Sequence, residues 1–323
     1  MRREVTANTI QQQNSNNTNQ LNTKTMTQTE KQRTTEALRR YVSRYPSQNK
    51  AAASLNGVSA ATVSAILNGN HGAISDEMWR NVAAQVGGVR SSGGWTIVEI
   101  TPFQEIQAAL EDAQSNRMVR WVVGDAGCGK TTGAAYYEAN HREVFTVLCD
   151  EDMRKSDFVR EIARQVGLKT GGMRLREMLE GTTGYLMQLE APLLIFDEGD
   201  KLNDNVFHYF INIYNRLEGR CGIVFLSTGY IERRLERGVA AGKKGYAEIY
   251  SRIGRKYFEL EPTNAVDVAA VCQANGISGE RELRGILDES QKSAFDLRVV
   301  RREIHRRKRM AAASNNVQTP VKQ

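Results

Sequence analysis

The sequence contains no long hydrophobic run and few cysteines. No stretch approaches ~20 apolar residues, so we expect no membrane-spanning helix. The amino terminus has no apolar segment of the kind that a secretory signal carries, so we expect no such signal. The four cysteines, at positions 128, 149, 221 and 272, lack the paired spacing of a zinc site or a disulfide framework. These absences favour a protein of the reducing cytoplasm.

What the sequence does contain is enough apolar residues for a folded core, together with an excess of basic charge. The chain has 323 residues, of which 40% are hydrophobic, so it has room for two domains and for tails. Its formal net charge of +7 favours a polyanionic partner such as nucleic acid.

A glycine-rich octet fits the phosphate-binding pattern G-x-x-x-x-G-K-[ST] without a gap. Backbone N–H groups of such a loop surround nucleotide phosphates, and glycine permits the close approach. We predict that Lys130 neutralises the β- and γ-phosphates of ATP and that Thr131 is a ligand of Mg²⁺. The nucleotide-binding residues predicted here are Gly124, Asp125, Ala126, Gly127, Cys128, Gly129, Lys130, Thr131 and Thr132.

The segments around the octet have the expected character. Residues 119–123 read as a short buried strand that leads into the loop, and residues 131–139 read as a helix whose amino terminus faces the phosphates. The alternative is a glycine-rich turn that binds no ligand.

A second apolar run, residues 193–196, ends in two carboxylates. We predict that Asp197 holds Mg²⁺ and that Glu198 is the general base for the attacking water. The alternative is an ordinary core strand followed by an acidic turn. A third strand, residues 223–226, ends at Ser227 and Thr228, and either hydroxyl could contact the γ-phosphate or the water. Thr228 is included in the predicted nucleotide site.

Residues 35–86, which precede the glycine-rich octet, have the pattern of a compact helical domain. A helix over residues 50–55 is followed by a turn with glycine and by a second helix that Ser59 caps, which is the spacing of a helix-turn-helix of the phage-repressor type. Ser59 and Thr62 have short hydroxyl side chains that suit contacts in a DNA groove. The alternative is a helical domain that binds protein rather than nucleic acid.

Basic side chains that could contact DNA occur in three places. One pair follows a strand predicted over residues 144–148, and another lies in a glycine-flanked loop. A third group is concentrated in the last helix, where a solvated helix face is the alternative. They are Arg154 and Lys155; Lys243 and Lys244; and Arg301, Arg302, Arg306, Arg307, Lys308 and Arg309.

Strands that alternate with helices predict an α/β fold with a parallel sheet covered on both faces. Together with the octet, the Asp197-Glu198 pair, the polar end of the third strand and the helical segment after residue 262, this pattern resembles the AAA+ ATPase family. The resemblance implies that Arg252 is an arginine finger acting on a neighbouring subunit, with Arg255 as the competing candidate, and that Arg298 is the sensor 2 arginine of the lid. Each could instead be a surface arginine paired with a local acid.

Residues 35–310 are similar more narrowly to transposition target-selection ATPases. The resemblance implies an ATP- and Mg²⁺-dependent protein that binds double-stranded DNA with little sequence specificity, forms filaments with copies of itself, and delivers the DNA to a transposase. It also implies a mobile element or phage product that acts in the cytoplasm of a bacterial host cell. The longer Gln/Asn/Thr-rich amino-terminal segment departs from this family. Alternative functions are a helicase-loading or replication-initiation ATPase, and an ATP-gated transcription regulator.

The predicted organisation has six parts. Residues 1–34 contain too few apolar residues to offset the conformational entropy that is lost on ordering, so we expect this segment to be disordered. The parts are a disordered tail (1–34), a helix-turn-helix domain (35–86), a Gly/Ser linker (87–94), an AAA+ ATPase core (95–262), a helical lid with a basic end (263–310) and a disordered tail (311–323).

Overall fold

The computed structural model describes Met26 and residues 28–55, 57–86 and 95–317. Residues 1–25, the predicted linker 87–94 and residues 318–323 lie outside the described residues. None of the helices within the described ranges is both long enough and apolar enough to cross a bilayer.

In its described residues, the amino-terminal module has four α-helices and one short 3₁₀ turn, His71–Ala73, around a small apolar core. Two serines begin helices by accepting hydrogen bonds from backbone N–H groups: Ser47 from Lys50 and Ser59 from Thr62. Trp79 is fully buried among aliphatic side chains at the centre of the module. The helices are α1 (Gln28–Ser43), α2 (Gln48–Ser54), α3 (Ala60–Leu67) and α4 (Asp76–Val86).

Helix α1 begins before the boundary that the sequence predicted. Residues 28–34, assigned to the disordered tail, are helical, and Thr34 is buried. The Thr34 hydroxyl donates to the carbonyl of Glu30, and Lys31 forms an ion pair of 2.7 Å with Asp76 on helix α4. Contacts with a neighbouring helix thus order a segment whose composition alone does not favour structure.

The α/β core follows from residue 101. Its elements are α5 (Thr101–Asn116), β1 (Val119–Val123), α6 (Lys130–Asn140), β2 (Val144–Leu148), α7 (Lys155–Gln165), α8 (Leu175–Leu186), β3 (Leu193–Asp197), α9 (Asp204–Leu217), β4 (Gly222–Ser227), α10 (Tyr230–Ala240), α11 (Tyr246–Arg252) and β5 (Phe258–Glu259). Helices α9 and α11 were not among the predicted elements.

The five strands form one parallel sheet in the order β2-β3-β4-β1-β5, which confirms the predicted fold class. Side chains alternate between two apolar layers: Trp121 and Phe225 face helices α7–α11, whereas Val122 faces α5 and α6. Burial on both faces explains why these strands read as continuous apolar runs. Because all strands are parallel, the segments that follow β1, β3 and β4 meet at one edge of the sheet.

Three further helices form the lid: α12 (Ala265–Ala274), α13 (Glu280–Gln291) and α14 (Leu297–Val317). The extended residues 95–100 pack against the lid, and buried Asn275 bonds to both the N–H and the carbonyl of Thr96. Helix α14 continues seven residues past the predicted boundary at 310, through Ala311–Ala313. Alanine has the highest helix propensity, which explains this extension.

The amino-terminal module is docked on the core. Tyr45 donates a hydrogen bond of 2.7 Å to the carbonyl of Gln165 on α7, and its ring packs against Phe145 in the sheet. The Arg44 guanidinium bonds to the backbone carbonyl of Glu138 on α6 and lies 3.5 Å from the carboxylate of the same residue. Burial raises the pKa of Glu138, and the nearby Arg44 opposes that rise. The composition of the predicted linker gave no indication that the amino-terminal module contacts the core.

We expect Arg44→Met to destabilise the protein by about 2 kcal/mol, because Glu138 would keep a half-buried carboxylate without its cation. Arg39→Met, at an exposed arginine on the same helix, is the control and should change stability by less than about 0.5 kcal/mol. Urea unfolding measures both effects. Equal stability of the two variants would show that the docking contact contributes nothing.

Candidate nucleotide-binding site

The glycine-rich loop connects β1 to α6, and two of its glycines lie in the left-handed region of backbone conformation. Gly127 and Gly129 have φ angles of 80° and 101°, which side-chain-bearing residues rarely adopt. Gly129 is the N-cap of α6, so the free N–H groups and the positive end of this helix face the loop. Both features make the loop a site for an anion.

The Lys130 ammonium lies over the loop. It donates hydrogen bonds of 2.7 Å to the carbonyl of Gly124 and 2.8 Å to that of Asp125. The Cys128 thiol lies beside it, and burial raises the pKa of this thiol despite the neighbouring ammonium. Cys128 is therefore a small apolar filler of the loop rather than a reactive thiolate.

Two predicted Mg²⁺ ligands lie together at the edge of the sheet. Burial raises the pKa of Asp197, and a hydrogen bond from the Thr131 side chain partly offsets this rise. No group of three or more His, Cys, Asp or Glu that could hold a metal occurs in the described part of the chain. The Thr131 hydroxyl and the Asp197 carboxylate nevertheless fit Mg²⁺, which usually takes few protein ligands and completes its shell with phosphate oxygens and water.

Glu198 immediately follows strand β3 in an unusual backbone conformation. Its φ angle is 56°, and its carboxylate forms an ion pair of 2.5 Å with Lys201. A short 3₁₀ turn, Gly199–Lys201, follows, and a Cβ atom at Gly199 would overlap the ring of Phe225. The tight turn thus aims the Glu198 side chain at the open edge of the sheet, where its carboxylate is half-exposed.

The structure separates the two hydroxyls at the end of β4. Ser227 is buried, and its Oγ accepts a hydrogen bond of 2.6 Å from the Trp121 indole below the sheet. Thr228 is half-exposed, and its hydroxyl donates to Asp200 at 2.7 Å. Of the two candidates, Thr228 is the one whose hydroxyl lies beside the carboxylates that follow β3.

The loop, the lid and residues 95–103 together line a cleft of about 300 Å³. The lid contacts the loop directly, since the Leu297 N–H donates to the Gly127 carbonyl. Arg298 is exposed and lines the cleft, and its backbone N–H donates to the Asp296 carboxylate. At the far end the Arg301 guanidinium lies 5.2 Å from the ring centre of Trp95. Thr132 also lines the cleft.

The two candidate arginine fingers lie in different environments. Arg252 is 19% exposed and is held by Glu248 at 2.9 Å and by Asn215 at 2.8 Å, above the ring of Tyr214. Arg255 is exposed, and its backbone φ angle is 56°. Arg252 is thus held by contacts within the chain, whereas Arg255 is exposed.

The candidate DNA-binding residues are distributed over separate surfaces. Ser59 uses its hydroxyl to cap α3 and lies 2.9 Å from the Thr62 hydroxyl. Arg154 and Lys155 are exposed at the start of α7. In the loop between α10 and α11 the ammonium of one lysine, Lys243, lies 3.5 Å from Asp204, and its neighbour Lys244 is exposed.

Three residues of the cleft were missed by sequence reasoning. Asp200 follows the two predicted carboxylates within Asp-Glu-Gly-Asp, and this acidic repeat was the available signal. Trp95 and Arg301 are far apart in the sequence, and no local pattern connects them; Arg301 was predicted only as a possible DNA contact.

Residues 111–235, which include strands β1 to β4 and the glycine-rich loop, match the family model described as an AAA domain. Over 249 residues the chain is 24% identical to the ATP-dependent target DNA activator B of Escherichia phage Mu. It is 24% identical, again over 249 residues, to the protein of the same name from Escherichia phage D108. Each alignment covers 73% of this chain and 76% of the relative. These distant similarities confirm the resemblance that the sequence predicted.

Proposed function

We propose that this protein is an ATPase that assembles on double-stranded DNA in its ATP-bound state and presents that DNA to a transposase. The observation that carries the proposal is the meeting of Lys130, Asp197 and Thr228 at one edge of the sheet, under a helical lid. Its support from other proteins is the similarity to two phage proteins named ATP-dependent target DNA activator B.

The residues of the site suit hydrolysis of the β–γ phosphate bond. Lys130 and the N–H groups of the loop would neutralise the phosphates, and Thr131 and Asp197 would hold Mg²⁺, which would supply further positive charge. Glu198 accepts a proton from water as the water oxygen bonds to the γ-phosphorus. The bond between that phosphorus and the bridging oxygen breaks, and its electron pair leaves with ADP.

Assembly would make hydrolysis depend on a neighbouring copy. An arginine from one subunit that reaches the γ-phosphate bound by the next stabilises the transition state only where subunits touch. ATP bound between two subunits then favours assembly by mass action, and loss of this ATP weakens the contact between the subunits. Because many weak phosphate contacts act together along a filament, exposed lysines and arginines suffice for tight, salt-sensitive binding.

Arg252 and Arg255 can be separated by mutation. We expect Arg255→Ala to lower DNA-stimulated turnover by about 10³-fold with ATP affinity unchanged, and Arg252→Ala to have a smaller effect because its guanidinium is held internally. Mixing Arg255→Ala with Glu198→Gln should restore turnover, since each supplies what the other lacks at a shared site. Failure of the mixture to recover activity would place the arginine in its own subunit's site.

The DNA part of the proposal is tested by fluorescence anisotropy on unrelated duplexes with ATP, with ADP and without nucleotide. Comparable affinity for every duplex, present only with ATP and falling steeply with salt, is the expected result. Tight preference for one palindrome would instead indicate a transcription regulator. Helix α3 carries no lysine or arginine, which disfavours it as the main source of phosphate contacts.

A further inference from the structure

Asp200 lies in the turn after Glu198 and contacts Thr228 at the end of the neighbouring strand. Its Oδ2 accepts hydrogen bonds from the Thr228 hydroxyl at 2.7 Å and from the Thr228 N–H at 3.4 Å. Asp200, Thr228 and Glu198 all line the same cleft. None of the roles described so far includes Asp200.

The position of Asp200 is fixed from two sides. Its backbone carbonyl accepts a hydrogen bond of 3.0 Å from Arg234 on α10, and the same guanidinium pairs with Asp204 at 2.7 Å and lies over the ring of Phe207. On the other side Gly199 is pressed against Phe225. These contacts fix the backbone at Asp200, and the carboxylate accepts both the hydroxyl and the N–H of Thr228.

A threonine hydroxyl has one hydrogen and two lone pairs, so its orientation decides what it can bind. When the hydrogen is given to Asp200, Thr228 presents only acceptor positions to the cleft. Phosphate oxygens are also acceptors, so this hydroxyl does not bond to the γ-phosphate. It can accept a hydrogen bond from water.

We infer that Asp200 is a positioning residue that makes Thr228 a holder of the attacking water rather than a ligand of the γ-phosphate. The inference rests on the proposed ATPase activity. One hydrogen of the water is directed to Glu198, which takes it as the oxygen bonds to phosphorus, and the other is directed to Thr228. With both hydrogens held, a lone pair of the water faces the γ-phosphorus.

The opposite arrangement is disfavoured by the same contacts. For Thr228 to donate to the γ-phosphate, its hydroxyl must leave Asp200, which would lose its shortest hydrogen bond while lying near another anion. Loss of a hydrogen bond to a charged group is unfavourable, so the contacts favour the orientation in which Thr228 donates to Asp200.

The experiment compares Asp200→Ala, Thr228→Val and the double variant, with Asp288→Ala, at an exposed carboxylate on α13, as the control. Alanine removes the acceptor of the Thr228 hydroxyl, which can then turn its hydrogen toward the cleft. We expect each single variant to lower kcat at least tenfold with little change in KM, and the double variant to be no slower than the slower single variant. Thr228→Ser should retain most activity, because it keeps the hydroxyl.

Nucleotide affinity provides a readout that needs no turnover. Fluorescent ATP and ADP analogues should bind Thr228→Val with the wild-type ratio of affinities, within about twofold, because this hydroxyl makes no bond to the γ-phosphate. A tenfold fall in that ratio, or effects on kcat that multiply in the double variant, would overturn the inference. A wild-type protein that binds ATP without hydrolysing it would refute the proposed function instead, and the ratio would still decide the role of Thr228.

Discussion

Lys130→Ala is expected to abolish ATP-dependent DNA binding while the protein remains folded. The ammonium lies over the loop, where its hydrogen bonds go to two loop carbonyls and the Cys128 thiol rather than to a carboxylate, so we expect the fold to tolerate its removal. A charge-assisted contact with two phosphates is worth about 3 kcal/mol, which corresponds to a loss of about 10²-fold in ATP affinity.

Isothermal titration with a non-hydrolysable ATP analogue measures the first step, and anisotropy with labelled duplex measures the second. Lys169→Ala, at an exposed lysine outside the cleft, is the matched control. A Lys130→Ala protein with a normal melting temperature and normal DNA binding would refute the dependence of DNA binding on this site.

Glu198→Gln is expected to have the opposite phenotype: binding of ATP and DNA is retained and turnover stops. Glutamine has the same shape and keeps a hydrogen-bond acceptor for Lys201, so the turn after β3 should be preserved. It cannot accept a proton at neutral pH, and loss of a general base costs about 10²–10⁴-fold in rate. DNA complexes should therefore persist long after the free ATP has been removed.

The lifetime of these complexes is measured by diluting them into excess unlabelled duplex without nucleotide. Glu190→Gln, at an exposed position away from the cleft, should dissociate as the wild-type protein does. Unchanged hydrolysis together with loss of DNA binding would show that Glu198 has been assigned the wrong role.

The sheet could be predicted because parallel strands are buried on both faces. Strands β1 and β2 have the predicted bounds, and the glycine-rich loop lies where its pattern indicated. Helix α9 was missed although it is strongly amphipathic, and helix α11, of only seven residues, carries little periodic signal. The edges of the predicted tails were wrong for a different reason, because tertiary contacts and alanine propensity extend α1 and α14.

The sequence predicted those parts of the site that lie within one continuous motif. It did not predict contacts between residues of distant segments. Ser227 and Thr228 are adjacent, and only the fold reveals that one bonds to Trp121 and the other to Asp200. The same holds for Arg252, whose partners Asn215 and Glu248 belong to two different helices. Side-chain direction and pairing between distant segments are set by packing, which a single sequence does not display.

ATP-dependent assembly requires that the γ-phosphate control whether copies of the protein stay together on DNA. Sedimentation velocity of the wild-type protein on a long random-sequence duplex, with ATP, with ADP and without nucleotide, tests this dependence most directly. Large complexes that form with ATP and are absent in the other two conditions are the expected result. Assemblies of equal size in all three conditions would contradict it.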